Sequence, residues 1–217
     1  MSYDLCIFDL DGTLTDPGLG ITKSYRHALA PFGIHEELDD LTRFIGPPLR
    51  SVFRDVYGFS DSDTEKAVAL YREYYSTNGL LENMVYPGIP ELLQYLVDNE
   101  KTLAVATNKV RPYTVEILKH FELERYFSFV SADDMDGSLT RNGKRDIIQA
   151  VLDNIDPERN MSAAMIGDRK IDVIGARETG VHSIGVTWGY GSRQELLDAG
   201  ATHIADTPDE LQRLLVE

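Results

Sequence analysis

A single cysteine, Cys6, in a chain of 217 residues excludes an intramolecular disulfide, a Cys-x-x-Cys redox pair and a cysteine-rich zinc site. Such thiol poverty fits a reducing compartment. Long apolar runs are missing as well: nothing approaches the ~18 residues of a membrane span, and the opening MSYDLCIFDLDG has neither the basic region nor the apolar length of a signal peptide. The expectation is a soluble, unexported, cytoplasmic protein with no membrane partner. Positive charge is scarce, with 21 Lys+Arg against 36 Asp+Glu and a formal net charge of -15. That sign repels phosphate backbones, so polymeric nucleic acid is not an expected partner, while a small anion is admissible where a local pocket reverses the sign. What remains is ordinary globular composition, 42% hydrophobic and 26% charged, at a length that suits one large domain or a core with a small insert. No feature of the sequence sets an oligomeric state.

Short apolar or β-branched runs at Tyr3–Phe8, Thr102–Ala106, Phe129–Val130, Ala163–Ile166, His182–Val186 and His203–Ala205 read as strands. Helical patterns lie between them at Pro90–Asn99, Pro112–Phe121, Asp146–Asn154, Asp172–Thr179, Arg193–Ala199 and Pro208–Val216, several opened by Pro or closed by Gly. Alternation of this kind predicts an α/β fold, a doubly wound parallel sheet with a Rossmann-like core, whose ligand site lies beyond the carboxyl ends of the strands. Thr15 to about Leu81 breaks the alternation: helical stripes recur there (Ile21, Tyr25, Ala28, Leu29; Leu49, Val52, Phe53, Val56) and no strand stands out. The expected domains are a discontinuous core, 1–15 and 82–217, and an inserted helical cap, 16–81.

Four strand ends carry residues suited to chemistry. After the first strand stand Asp9 and Asp11, two carboxylates two apart and so on the same side, with Gly12 permitting a tight turn. Like charges so close need a cation or a shared proton. The same pattern recurs at Asp134-Met135-Asp136-Gly137-Ser138, but polar Ser131 and Asp133 separate it from its strand, and it reads as a solvated loop. Thr107 and Asn108 follow the second long strand, where a hydroxyl and an amide beside a helix N-terminus suit an anion, although both are also plain helix caps. Asn142-Gly143-Lys144-Arg145 is no nucleotide P-loop, because Ser138 and Arg145 stand where Gly and Ser or Thr are required, yet Lys144 is a candidate point charge for phosphate. Finally Gly167-Asp168-Arg169-Lys170-Ile171-Asp172 delivers Asp168 to a strand end and Asp172 one helical turn later. Together these positions supply carboxylates for Mg²⁺ and donors for phosphate.

The order DLDGTLTD, TNK, Lys144, GDRKID, with a helical insert after the first motif, resembles the haloacid dehalogenase-like phosphohydrolases, in the branch of phosphoglycolate phosphatases and 5'-nucleotidases. The cap segment Phe44-Ile45-Gly46-Pro47-Pro48-Leu49 is more similar to the 5'-nucleotidase group. Arg145, where many relatives have Pro after the motif lysine, leaves Lys109 and Lys170 as competitors of Lys144. The resemblance implies a Mg²⁺-dependent phosphomonoester hydrolase acting on a small phosphorylated metabolite. Asp9 is then the nucleophile and Asp11 the acid and base. Mg²⁺ is bound by Asp9, the backbone carbonyl of Asp11 and Asp168, with Asp172 behind, while Thr107, Asn108 and Lys144 take phosphate oxygens. Arg50 in the cap is the expected contact to the rest of the substrate, and Tyr25, Phe53 and Tyr57 are expected to be cap core. A phosphomutase of the same superfamily and a non-enzymatic phosphoacceptor receiver domain are the alternatives, although a receiver needs no cap.

Overall fold

The computed structural model describes residues 2–135 and 143–216. In chain order, β1 (Leu5–Phe8) and β2 (Thr15–Asp16) lead to helices α1 (Gly18–Leu29), α2 (Leu38–Leu41), α3 (Leu49–Ser51) and α4 (Asp61–Tyr74), then to β3 (Met84–Val85) and α5 (Ile89–Asp98). Strand and helix alternate from there: β4 (Thr102–Val110), α6 (Arg111–His120), β5 (Phe129–Asp133), α7 (Lys144–Ile155), β6 (Ala163–Gly167), α8 (Lys170–Thr179), β7 (His182–Val186), α9 (Arg193–Ala199), β8 (His203–Ala205) and α10 (Pro208–Val216).

Six strands form one parallel sheet in the order β5-β4-β1-β6-β7-β8. This is the expected doubly wound α/β architecture. All four residues of β1, Leu-Cys-Ile-Phe, are fully buried, so both faces of the central strand are covered. On one face Leu5, Ile7, Ala104, Ala106 and Met165 pack with Ile147, Ile148 and Val151 of α7 and Ala176 of α8. Small alanines on β4 let α7 lie close. Helices α8 and α9 stop at Gly180 and Gly200, both with positive φ, the left-handed ending that glycine alone adopts freely. The chain winds outward from β1 through β4 to β5, then returns to β6 on its other side. The reversal leaves a crevice at the carboxyl end of β1.

Three local differences from the sequence reading matter for the site. β4 continues past Ala106 to Val110, with its pairing to β5 slipping between Thr107 and Val110. Thr107 and Asn108 therefore lie in irregular extended chain, and the next helix starts only at Arg111. β5 runs to Asp133, so Ser131 and Asp133 are buried strand residues rather than a polar spacer, and Asp134 follows directly. Of the second Asp-x-Asp-Gly segment, residues 136–138 lie outside the described residues, as does Asn142. In the stretch expected to hold only helices, Thr15–Asp16 is a two-residue strand paired with Met84–Val85.

The chain divides into two compact units, Met1–Thr15 with Val85–Glu217, and Asp16–Met84. The second is built around Tyr25, fully buried, whose ring meets Phe44, Phe53 and Tyr71 at centroid distances of 5.5, 5.6 and 5.0 Å. Phe53 touches Tyr57 and stacks on Phe59. Tyr25, Phe44 and Phe53 are the buried centre of this unit, with Tyr57, Phe59 and Tyr71 half-buried around them. Gly20 of α1 lies against the backbone of Gly79, where any Cβ would collide with the carbonyl.

Candidate active site

Asp9 is the first residue after β1, and its amide still donates to Ile166 of β6. Beyond it the backbone closes a tight turn: the amides of Leu14 and Thr15 donate to the Leu10 carbonyl, and that of Gly12 to the Thr15 carbonyl. Gly12 sits at φ +83, and a side chain there would also collide with the Asp168 carboxylate. Both constraints demand glycine. The turn brings Asp9 and Asp11 to the crevice, where β6 delivers Asp168 and the first turn of α8 delivers Asp172.

The carboxylates of Asp9, Asp168 and Asp172, all buried, each offer an oxygen within 4.8 Å of the others. Lys144, the first residue of α7, reaches into the group. Its Nζ lies 2.8 Å from Asp9 Oδ1 and 2.8 Å from Asp172 Oδ1, as charge contacts rather than aligned hydrogen bonds. Gly175 of α8 makes room for it, since a Cβ there would stand 2.9 Å from that of Lys144. Asp9 Oδ1 also accepts the Leu10 amide at 2.7 Å, so Oδ2 is the oxygen left outside these contacts. Lys109, on the extension of β4, pairs with Asp11 Oδ2 at 2.6 Å, while Asp11 Oδ1 is buried with no partner. Thr107 is buried and accepts the Lys109 amide, and the buried Asn108 Oδ1 has no hydrogen-bond partner. Lys170 is exposed. Arg50 belongs to the other unit and makes a two-point pair with Glu65, at 2.7 and 3.1 Å.

The electrostatics follow from crowding. Burial, reinforced by the carboxylates of Asp172 and Asp9, pushes Asp168 up to about 8. Burial also raises Asp172 to about 6, against the pull of Lys144 and with a further push from Asp9. Burial lifts Asp11 above the usual carboxylate range despite Lys109. For Lys144 burial works against the charge, but Asp172 and Asp9 outweigh it and hold the ammonium above its ordinary value.

Four acids and two lysines, if all ionised, leave two negative charges uncompensated in a buried space. A divalent, oxygen-loving cation fits that deficit. Asp168 Oδ1, buried and without any donor, is an oxygen in want of one.

Two features of the site escaped the sequence reading. Lys109 was visible only as a rival to Lys144, whereas the two lysines take different carboxylates. The segment Thr187-Trp188-Gly189-Tyr190-Gly191 carries no acid or base motif, yet it directly follows β7, and the rule that ligands gather at strand ends points to it.

The family model of haloacid dehalogenase-like hydrolases matches residues 6–186. A 5'-nucleotidase of Pseudomonas aeruginosa is 43% identical, over 99% of this chain and 96% of its own length. The tyrosine-protein kinase PtkA of Mycobacterium tuberculosis is 40% identical, over 99% and 73%. Bacterial phosphoglycolate phosphatases follow at lower identity. The crystal structure of a predicted phosphatase from Clostridium acetobutylicum superposes with a TM-score of 0.92 at 42% identity, covering 99% of each chain. The chain belongs to the haloacid dehalogenase-like hydrolases and is a phosphatase of that family.

Proposed function

We propose that the protein is a Mg²⁺-dependent phosphomonoester hydrolase acting on a small phosphorylated metabolite, of the 5'-nucleotide or phosphoglycolate type, through an aspartyl-phosphate on Asp9. The observation that carries this reading is the pair Asp9 and Asp11 at the carboxyl end of the central strand, one beside Lys144 and the other beside Lys109. Asp9 Oδ2 attacks phosphorus, the P–O ester bond breaks, and Asp11 gives its proton to the departing oxygen. Water then attacks the same phosphorus and yields its proton to Asp11. The P–O bond to Asp9 breaks, and inorganic phosphate leaves. Lys144, Thr107 and Asn108 hold the phosphoryl oxygens and the charge that develops on them. Mg²⁺, held by Asp9, Asp168 and the Asp11 carbonyl with Asp172 behind, supplies charge neutralisation and polarisation of the phosphoryl group when bound. Arg50, on this reading, is shared between Glu65 and a polar or anionic part of the leaving group.

Phosphate release from 5'-nucleoside monophosphates, phosphoglycolate and sugar phosphates with Mg²⁺ tests the reading, with steady turnover of at least one class expected. Stoichiometric self-phosphorylation without turnover would overturn it. The relative that is a tyrosine-protein kinase favours a second reading, passage of the phosphoryl group from Asp9 to an acceptor other than water. Radiolabelled phosphate appearing on an added peptide or alcohol rather than in solution would select it.

A further inference from the structure

The segment after β7 closes on Asp168 from several directions. Trp188 Nε1 donates to the Thr13 carbonyl at 3.1 Å, which ties the indole to the turn carrying Asp11. Two residues on, the backbone N–H of Tyr190 donates to Asp168 Oδ2 at 2.8 Å. The glycines between and after allow this approach. A Cβ at Gly189 would collide with the Gly12 carbonyl and the Asp168 side chain, and one at Gly191 with the Asp168 carbonyl. Register explains the meeting: Gly167 of β6 pairs with Gly185 of β7, so the two strands end nearly level and their loops share one space.

The consequence falls on one carboxylate. A free aspartate turns easily about its last torsion, which has broad minima. Here Oδ2 is committed to the Tyr190 amide, the Asp168 backbone is walled in by Gly191, and the side chain is flanked by Gly12 and Gly189. Oδ1, buried and without a partner, is the oxygen left for the cluster with Asp9 and Asp172.

We propose that Trp188–Gly191 is a positioning segment that fixes Asp168 with one oxygen on a backbone amide and the other turned toward a divalent cation, and so sets cation affinity through residues that ligate nothing themselves. This rests on the cation site proposed above. Outer partners of this kind change metal affinity by ~10–100-fold elsewhere.

The test is direct Mn²⁺ binding by electron paramagnetic resonance, without substrate, on wild type, Trp188→Phe and Gly189→Ala. Trp188→Phe removes the indole donor and keeps an aromatic ring, whereas Gly189→Ala drives a methyl group into Gly12 and Asp168. The expected result is a dissociation constant raised ~10-fold in Trp188→Phe and further in Gly189→Ala. The Mg²⁺ concentration for half-maximal turnover should rise by the same factor, and excess Mg²⁺ should restore turnover in Trp188→Phe. A merely structural role predicts a lower melting temperature with unchanged Mn²⁺ affinity, and that result overturns the proposal. Should Gly189→Ala fail to fold, Trp188→Phe decides alone. If wild type binds no Mn²⁺, the cation site falls and the positioning role with it. Wild-type binding with unaffected variants refutes the positioning role only.

Discussion

Replacing Lys144 by methionine keeps the length of the side chain and removes its charge from between two carboxylates. At 2.8 Å each contact is worth ~6 kcal/mol at an effective dielectric of about 20. Against that stand the cost of burying an ammonium that is 1% exposed, several kcal/mol, and the repulsion between Asp9 and Asp172 that the lysine screens. Stripping one partner from a buried ionic group typically costs ~3–5 kcal/mol. At about 2–4 °C per kcal/mol for a chain of this size, Lys144→Met should melt ~6–20 °C below wild type in EDTA. The double variant Lys144→Met/Asp172→Asn should recover part of that loss, because it removes one of the two stranded charges. Turnover should fall ~10²–10³-fold in both, since neither supplies a cation to the phosphoryl oxygens. The single variant should bind Mg²⁺ more tightly than wild type, having one more negative charge around the cation. Thermal unfolding by circular dichroism in EDTA, with phosphate release measured alongside, is the assay. A Lys144→Met melting temperature equal to that of wild type, or no recovery in the double variant, would refute the charge-compensation argument.

Other consequences are equally concrete. Asp9→Asn should abolish turnover in a phosphate-release assay while melting near wild type, because an amide cannot accept the phosphoryl group. In the cation-free protein Asp168 binds its proton up to about pH 8 and Asp172 up to about 6, whereas the unfolded chain releases both near ~4. The folded state therefore holds more protons in that window. Stability in EDTA should fall as pH rises from ~4 to 8, with Mg²⁺ restoring more of it at pH 8 than at pH 5, as a melting series will show. Lys109→Met should cost alkyl phosphates at least ~10-fold more in kcat/KM than p-nitrophenyl phosphate, because only the poor leaving group needs a proton from a well-placed Asp11. Equal losses would assign Lys109 to phosphate binding. Arg50→Ala should lower kcat/KM for the best metabolite ~10-fold more than for p-nitrophenyl phosphate, and an equal effect on both would confine Arg50 to its pair with Glu65.

Most of the sheet was legible because its central strands are buried on both faces and so read as unbroken apolar runs; Leu5–Phe8 and Ala163–Ile166 are cases. The reading failed where strands turn polar at the ligand edge. Thr107, Asn108 and Lys109 prolong β4 after its apolar pattern has ended, and the bulge that permits this has no signature in a single sequence. Ser131 and Asp133 looked like spacer for the same reason, yet the end of β5 buries them. Among lysines, sequence separates Lys109, Lys144 and Lys170 only by position. Their fates are set in three dimensions by the β4 extension, by the room Gly175 leaves for α7, and by exposure at the start of α8. Trp188–Gly191 lies about twenty positions from Asp168, and only the pairing of β6 with β7 brings it there.

The charge pattern of the crevice imposes an order on binding. Two lysines face four carboxylates, so an approaching phosphate dianion meets a site that is negative on balance unless protons or a cation intervene. At neutral pH the proton held by Asp168 removes one of those charges, but a carboxylic acid offers phosphate little attraction, and Lys144 is already engaged by Asp9 and Asp172. On the proposed reading, a divalent cation would displace that proton and cancel the deficit in the same event. It would also weaken the hold of the carboxylates on Lys144 and so leave the ammonium available to a phosphoryl oxygen. The acidity of the site therefore does not disfavour phosphate chemistry. On the proposed reading phosphate affinity is conditional on the cation, so the two should bind with positive coupling, each strengthening the other by the same factor.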